Sequence, residues 1–238
     1  MRAVILAAGL GTRLRPLTDN TPKVMIDIGG QPVLEHLVRL CRKHGILDII
    51  LTLGYLPRVI RNYFGNGEKF GVNIKYTLEK EMLGGAGVLR LANRYLFSEP
   101  FFVLNGDVLT DVDLGKMLNF HKSKGGLATY LVHRTDHPYD SDVVEFDNSF
   151  RIFRFFRPKP DDLFTPLTKT GTHLFEPEVL NYIPESAYFS LEKDLTPRLL
   201  SENKNIYAFV SDAYSKDMGT PERLEKVRKD YKEGKIVI

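Results

Sequence analysis

The sequence has one cysteine and no long apolar run, and each scarcity removes a class of protein. Cys41 alone excludes an intrachain disulfide framework, and no His and Cys spacing resembles a zinc site, so a reducing, cytoplasmic setting is expected. The apolar run from Ala3 is about six residues long before Gly9 and Arg13, shorter than the roughly 7–15 residues of a signal-peptide core. No other span is long enough to cross a bilayer. A net charge of +3 is too small for general binding to nucleic acid or a membrane, so anion recognition must come from local clusters. Neither a linker nor a low-complexity tract divides the 238 residues. One domain is expected over 1–238.

What is present is concentrated first in Ala3 to Lys23, AVILAAGLGTRLRPLTDNTPK. Val4, Ile5 and Leu6 read as a strand covered on both faces. Ala8, Gly9, Gly11 and Thr12 are too small to fill a core, and Gly9 and Gly11 are able to take positive φ and bring amides close to an anion. Arg13 and Lys23 bracket the loop with cations, the local chemistry a polyphosphate requires. A dinucleotide fingerprint fails because Leu14 stands at its third glycine, and no P-loop string occurs. A plain glycine turn is the structural alternative. The whole string A-A-G-x-G-T-R-L-x-P-L-T, followed by P-K, resembles the signature of the nucleotidyltransferases that make nucleotide sugars, and the later segment Glu79 to Gly87 resembles the form found in the mannose-1-phosphate guanylyltransferases.

Beyond the loop, Pro32 suits a first helical position and Leu34, Leu37, Val38 and Cys41 follow at helical spacing, ending at His44-Gly45. Strands over 48–53 and 72–78 alternate with a helix over 56–64, which implies a Rossmann-like, mostly parallel α/β sheet flanked by helices. Gly84, Gly85 and Gly87 precede a helix expected over 88–96, so something comes close to the backbone there. Phe101 to Leu104 is a buried strand ending in Asn105-Gly106-Asp107. Asp107 suits a Mg²⁺ ligand, with an N-cap or turn aspartate as the alternative. Asp111 and Asp113 read as a cap for a helix over 114–124. From Leu127 the pattern turns to added antiparallel strands, over 127–133, 142–146 and 151–157, forming the sugar-side wall. In Phe150 to Pro160 the aromatics are expected to face inward and the basic residues outward. Another strand is expected to begin at Gly171, with His173 either a hydroxyl contact or a buried core residue. Ser190 caps a helix with Glu192 in its first turn, and strands over 206–211 and 213–215 precede Asp217 and the Pro221 helix.

The resemblance implies attack of a sugar 1-phosphate on the α-phosphorus of a nucleoside triphosphate with release of pyrophosphate, by a nucleotide-binding half (1–125) and a sugar-phosphate-binding half (126–238). It implies that Leu6, Ala8, Gly9, Gly11, Thr12, Arg13, Lys23 and Gly84 bind nucleotide, and that Asn105, Lys159 and Gly171 bind sugar phosphate. It assigns catalysis to Arg13, Lys23 and Asp107, and Mg²⁺ to Asp107 and Asp217. The departures are Met82 and Gly85 in the base-contacting segment, Tyr214 for a tryptophan, and Pro158 where a glutamate precedes the lysine. GTP with mannose 1-phosphate is the expected pair. The alternatives are a heptose or glucose 1-phosphate with UTP, CTP or dTTP, or a non-catalytic subunit that binds a nucleotide sugar. No hexapeptide β-helix is expected after the terminal helix, and a homo-oligomer is left open.

Overall fold

The computed structural model describes every residue except Phe97, Asp136, Ser186, Val237 and Ile238. Strand β1 (Arg2–Ala7) leads through two 3-10 turns into the short pair β2 (Asp27–Ile28) and β3 (Gln31–Pro32). Then come α1 (Val33–Lys43), β4 (Asp48–Leu53), α2 (Pro57–Phe64), β5 (Asn73–Leu78) and α3 (Gly84–Ala92). The middle of the chain supplies β6 (Phe101–Asn105), β7 (Val108–Thr110), α4 (Leu114–Lys124), β8 (Ala128–Arg134), β9 (Val143–Phe146) and β10 (Ile152–Phe156). It ends with β11 (Leu167–Phe175), α5 (Thr196–Ser201), β12 (Ile206–Val210), β13 (Ser215–Asp217) and α6 (Pro221–Lys232). No helix among the described residues is long and apolar enough to cross a membrane.

Two compact units form, one from Met1–Met82, Val103–Asp113 and Tyr214–Ile238, the other from Leu83–Phe102 and Leu114–Ala213. They are not the halves 1–125 and 126–238. The chain's end packs with its beginning because β13 pairs antiparallel with β7, with Asp217 opposite Val108.

In the first unit the strand order is β6-β1-β4-β5, and β1, β4 and β5 are parallel. Ala3, Val4 and Ile5 have no exposed surface, as a strand covered on both faces requires. Helix α1 buries Val33, Leu34, Leu37, Val38, Leu40 and Cys41. Pro32 is its N-cap instead of its first helical residue, since its extended ψ of 147° still belongs to β3. Burial pushes the Cys41 thiol up to about 12, so it is an inert core group. A second core of Leu14, Ile28, Val33, Leu109, Met218, Leu224 and Val227 ties the glycine loop to α6.

In the second unit β8 pairs antiparallel with β11 and parallel with β12, and β9 pairs antiparallel with β10. An antiparallel bridge from Arg151 to Tyr207 brings the start of β10 to β12. The aromatics of β10 do not all face inward: Phe153 is 62% exposed, and the Arg154 guanidinium lies 3.7 Å from the centre of the Phe156 ring. A register shift between Ile152 and Arg154 interrupts the two-residue alternation on which that expectation rested.

Helix α3 begins at Gly84, four residues earlier than the glycines suggest. The first-turn amides of Ala86 and Gly87 both donate to Phe189 O at 2.9 Å, which supplies acceptors that the helix itself cannot. A Cβ at Gly84 would lie 2.7 Å from that same carbonyl, and one at Gly87 2.7 Å from Ala187 O.

Candidate active site

The glycine loop leaves the carboxyl end of β1, where ligands of parallel sheets sit. Gly11 takes φ +66°, but Gly9 does not adopt positive φ. The loop is held from within by Thr18, whose hydroxyl donates to Gly11 O at 2.8 Å. It is held from β4's end by Tyr55, whose amide donates to Ala8 O at 3.3 Å and whose hydroxyl donates to Asp19 O at 2.8 Å. Nothing lies within 4 Å of the place where a Gly9 side chain would start. Thr12 and Arg13 are exposed at the following turn, while Leu14 is buried as its anchor.

Asp107 is placed by a close backbone approach. The Gly106 amide donates to Leu6 O at 2.9 Å, and a Cβ on Gly106 would come within 2.5 Å of that oxygen. Gly106 therefore allows β6 to turn directly beside the end of β1. The pairing of β7 with β13 then brings in Asp217, and the Met218 amide donates to Asp107 O at 3.0 Å. Lys23 forms an ion pair with Asp107 Oδ2. Burial would raise the Asp217 pKa, but hydrogen bonds from Arg223 and the Gly219 amide, with the charges of Arg223 and Lys23, bring it below the ordinary value. One lysine thus acts on both carboxylates. Arg13 completes the group, its Nη2 lying 3.1 Å from where a Gly219 side chain would start.

Arg13, Lys23, Asp107 and Asp217 are thus brought together within one unit. Arg223 was not foreseen. Its Nη1 donates to both Asp217 oxygens at 2.9 Å. It stands in the first turn of a terminal helix, where no local pattern separates a site residue from a surface one. Asn105 is consistent with a binding role, since its buried Oδ1 has no hydrogen-bond partner among the described residues. Asp111 Oδ1 accepts the Tyr214 amide at 2.8 Å, and Asp113 lies beside His44.

Asp107 and Asp217 form a donor set suited to a hard divalent cation, and Lys23 Nζ already occupies the position of a positive charge near both. Among the described residues no third His, Cys, Asp or Glu joins them. An ion held there would draw its remaining ligands from water and phosphate oxygens, which is the habit of Mg²⁺.

In the second unit Lys159 is exposed and Pro158 is buried. The Lys159 amide donates to Asp162 Oδ2 at 2.7 Å, fixing the turn that presents the side chain. Gly171 does not begin a strand but lies inside β11, within the register shift between Lys169 and His173. His173 is fully buried, with Lys169 Nζ 3.1 Å from its Nε2 and Tyr130 edge-on at 5.1 Å. Lys169 also donates to Glu192 Oε1 at 2.7 Å. Burial would raise the Glu192 pKa, but the charge and hydrogen bond of Lys169, then His173, carry it down to about 2. This buried charged group was missed because Glu192 reads locally as a first-turn helix acid; Ser190 does cap that turn, accepting from the Glu192 and Lys193 amides. Gly84 faces the chain's own backbone at Phe189.

The glycine loop before Arg13, Lys23, and the two aspartates brought together by β7 and β13 lie in one unit. The chain belongs to the nucleotidyl transferase family, which it matches over residues 2–234. It is 36% identical to a UTP–glucose-1-phosphate uridylyltransferase of Synechocystis, over 96% of this chain and 63% of the relative. It is 37% identical to the mannose-1-phosphate guanylyltransferase of Mycobacterium tuberculosis, over 92% of this chain and 61% of the relative. The chain therefore spans less than two thirds of the length of these curated relatives. The structure is similar to that of HddC from Yersinia pseudotuberculosis, with a TM-score of 0.82, 27% identity, and coverage of 97% of this chain and 99% of that one. The same Yersinia protein complexed with GMP-PN aligns with a TM-score of 0.81.

Proposed function

We propose that the protein joins a nucleoside triphosphate and a sugar 1-phosphate into a nucleotide sugar and releases pyrophosphate. The observation that carries this reading is the meeting of Asp107 and Asp217 through β7 and β13, with Lys23 acting on both. Two polyanions must come within bonding distance, and unit charges about 4 Å apart repel by roughly 4 kcal/mol at surface-like dielectric. Basic groups therefore dominate the chemistry. Arg13 holds the departing pyrophosphate, Lys23 offsets charge developing at the α-phosphate, and Lys159 binds the phosphate of the sugar substrate. Main-chain amides of the Gly9–Gly11 loop receive the nucleotide phosphates, and Gly9 leaves them room. Asn105 Oδ1 accepts a hydroxyl of the sugar. A Mg²⁺ ion on Asp107 and Asp217 supplies charge neutralisation and a template for in-line displacement. The attacking phosphate oxygen is already ionised, so no general base is required.

GTP with mannose 1-phosphate is the preferred pair. Similarity to the mycobacterial guanylyltransferase and to a structure that carries GMP-PN supports the base. Comparable identity to the uridylyltransferase keeps UTP with glucose 1-phosphate as the alternative. A buried cysteine suits work in the reducing cytoplasm. Pro158 favours a second reading, a non-catalytic subunit that binds nucleotide sugar. Pyrophosphate release with Mg²⁺, crossing nucleoside triphosphates against sugar 1-phosphates, decides between them. Release with one pair is expected; silence with every pair, in folded protein that still binds a nucleotide sugar, refutes catalysis.

A further inference from the structure

Asp217 is engaged before any ligand arrives. Its Oδ1 accepts the Gly219 amide at 2.8 Å and Arg223 Nη1 at 2.9 Å, and its Oδ2 accepts the same Nη1 at 2.9 Å. Arg223 stands in the first turn of α6, after the Thr220 cap and Pro221. That is the positive end of the helix dipole, an unfavourable place for a cation unless a nearby anion holds it. The two basic groups on the aspartates also differ in their freedom. The Lys23 side chain is 11% exposed, whereas that of Arg223 is 37% exposed, so the guanidinium is able to swing into water without opening the core.

We propose that Arg223 is a placeholder for a divalent cation at Asp217. It neutralises the carboxylate while the ion is absent, gives up the carboxylate when the ion arrives, and by this competition sets the affinity of the protein for free metal. The exchange moves one ion pair and transfers no proton or electron. It rests on the reading of Asp107 and Asp217 as metal ligands, and it gives that reading a reason for weak capture of metal without nucleotide. A dication arriving beside a retained guanidinium meets repulsion, and a dication that replaces it must first break a two-point contact.

The test is Mn²⁺ titration of the nucleotide-free protein, read by electron paramagnetic resonance of the unbound ion. Arg223→Met is expected to bind Mn²⁺ about tenfold tighter than the wild type, and Arg223→Lys, which replaces the guanidinium but keeps a charge, to fall between them. Asp217→Asn is expected to lose the bound ion. A melting curve accompanies each variant; if Arg223→Met does not fold, the Arg223→Lys affinity decides. Equal or weaker Mn²⁺ binding by the Arg223 variants, with Asp217→Asn still losing the ion, overturns the placeholder and leaves the metal site standing. Mn²⁺ binding that Asp217→Asn does not alter, or no binding by any protein, overturns both.

Discussion

Gly106 and Gly9 separate a glycine that the fold needs from one that the ligand needs. In Gly106→Ala the new methyl would meet Leu6 O at 2.5 Å and Val24 Cγ1 at 2.9 Å. Ordinary contact begins at 3.4 Å, so β1 and the turn after β6 would have to separate by most of an ångström. That movement stretches the 2.9 Å hydrogen bond from the Gly106 amide to Leu6 O. Overpacking against backbone costs about 1–3 kcal/mol and a weakened hydrogen bond about 1 more. At roughly 2–4 °C per kcal/mol for a chain of this size, the melting temperature should fall by on the order of 10 °C. The shift also displaces Asp107, so turnover falls with it. In Gly9→Ala the methyl enters open space and no positive φ is forced. Stability should stay within about 0.5 kcal/mol of the wild type. Pyrophosphate release should nevertheless drop about tenfold or more, because the methyl stands where phosphate meets the amides. Thermal melts by circular dichroism and initial rates on both variants check the pair. An unchanged melting temperature in Gly106→Ala refutes the close approach of β1 and β6, and wild-type kcat/KM in Gly9→Ala refutes the phosphate loop.

Asp107→Asn keeps the shape of the turn and removes the charge, so pyrophosphate release should fall about a hundredfold or more in a steady-state assay. Lys159→Ala should raise KM for the sugar phosphate and leave KM for the nucleotide unchanged, as bisubstrate kinetics would read directly. Glu192, whose pKa is lowered from 4.5 to about 2, favours the folded state fully above its unfolded pKa, and the contribution is lost as pH falls through the folded value. Melting temperature should therefore decline between about pH 4.5 and pH 2 in the wild type, and the decline should be shallower in Glu192→Gln.

The parts of this fold that were legible in the sequence are those set by local pattern. The strand 48–53 and the helix 114–124 match β4 and α4 residue for residue, since each is an unbroken apolar rhythm between polar or glycine ends. Three features were not legible because chain segments distant in sequence decide them. Helix α3 starts early because Phe189, about a hundred residues on, accepts the amides of its first turn. Phe153 faces water because β9 imposes a register shift on β10. The Tyr214 amide donates to Asp111, about a hundred residues earlier, because β13 returns to β7. The site divides in the same way. Arg13, Lys23, Asp107 and Asp217 stand in strings long enough to resemble a known signature. Arg223 becomes a site candidate only through the aspartate it touches.

The distribution of charge suggests how the ligand-free site is prepared. Lys23 is committed to Asp107 and Arg223 to Asp217, so both carboxylates are already neutralised. Arg13 has no carboxylate partner among the described residues, and it is exposed at the turn that follows the glycine loop. An incoming polyphosphate therefore meets Arg13 without first breaking an ion pair. A bare divalent ion, by contrast, must displace Lys23 or Arg223 to reach an aspartate. On the proposed function, a nucleotide that carries its own cation would meet both needs together: its phosphates would engage Arg13 while the cation would compete for Asp217. On this argument Arg13→Ala should weaken nucleotide binding more than it weakens Mn²⁺ binding, and Arg223→Met should do the reverse by strengthening Mn²⁺ binding. Parallel changes in both affinities for either variant would mean that the two guanidinium groups do not divide the work in this way.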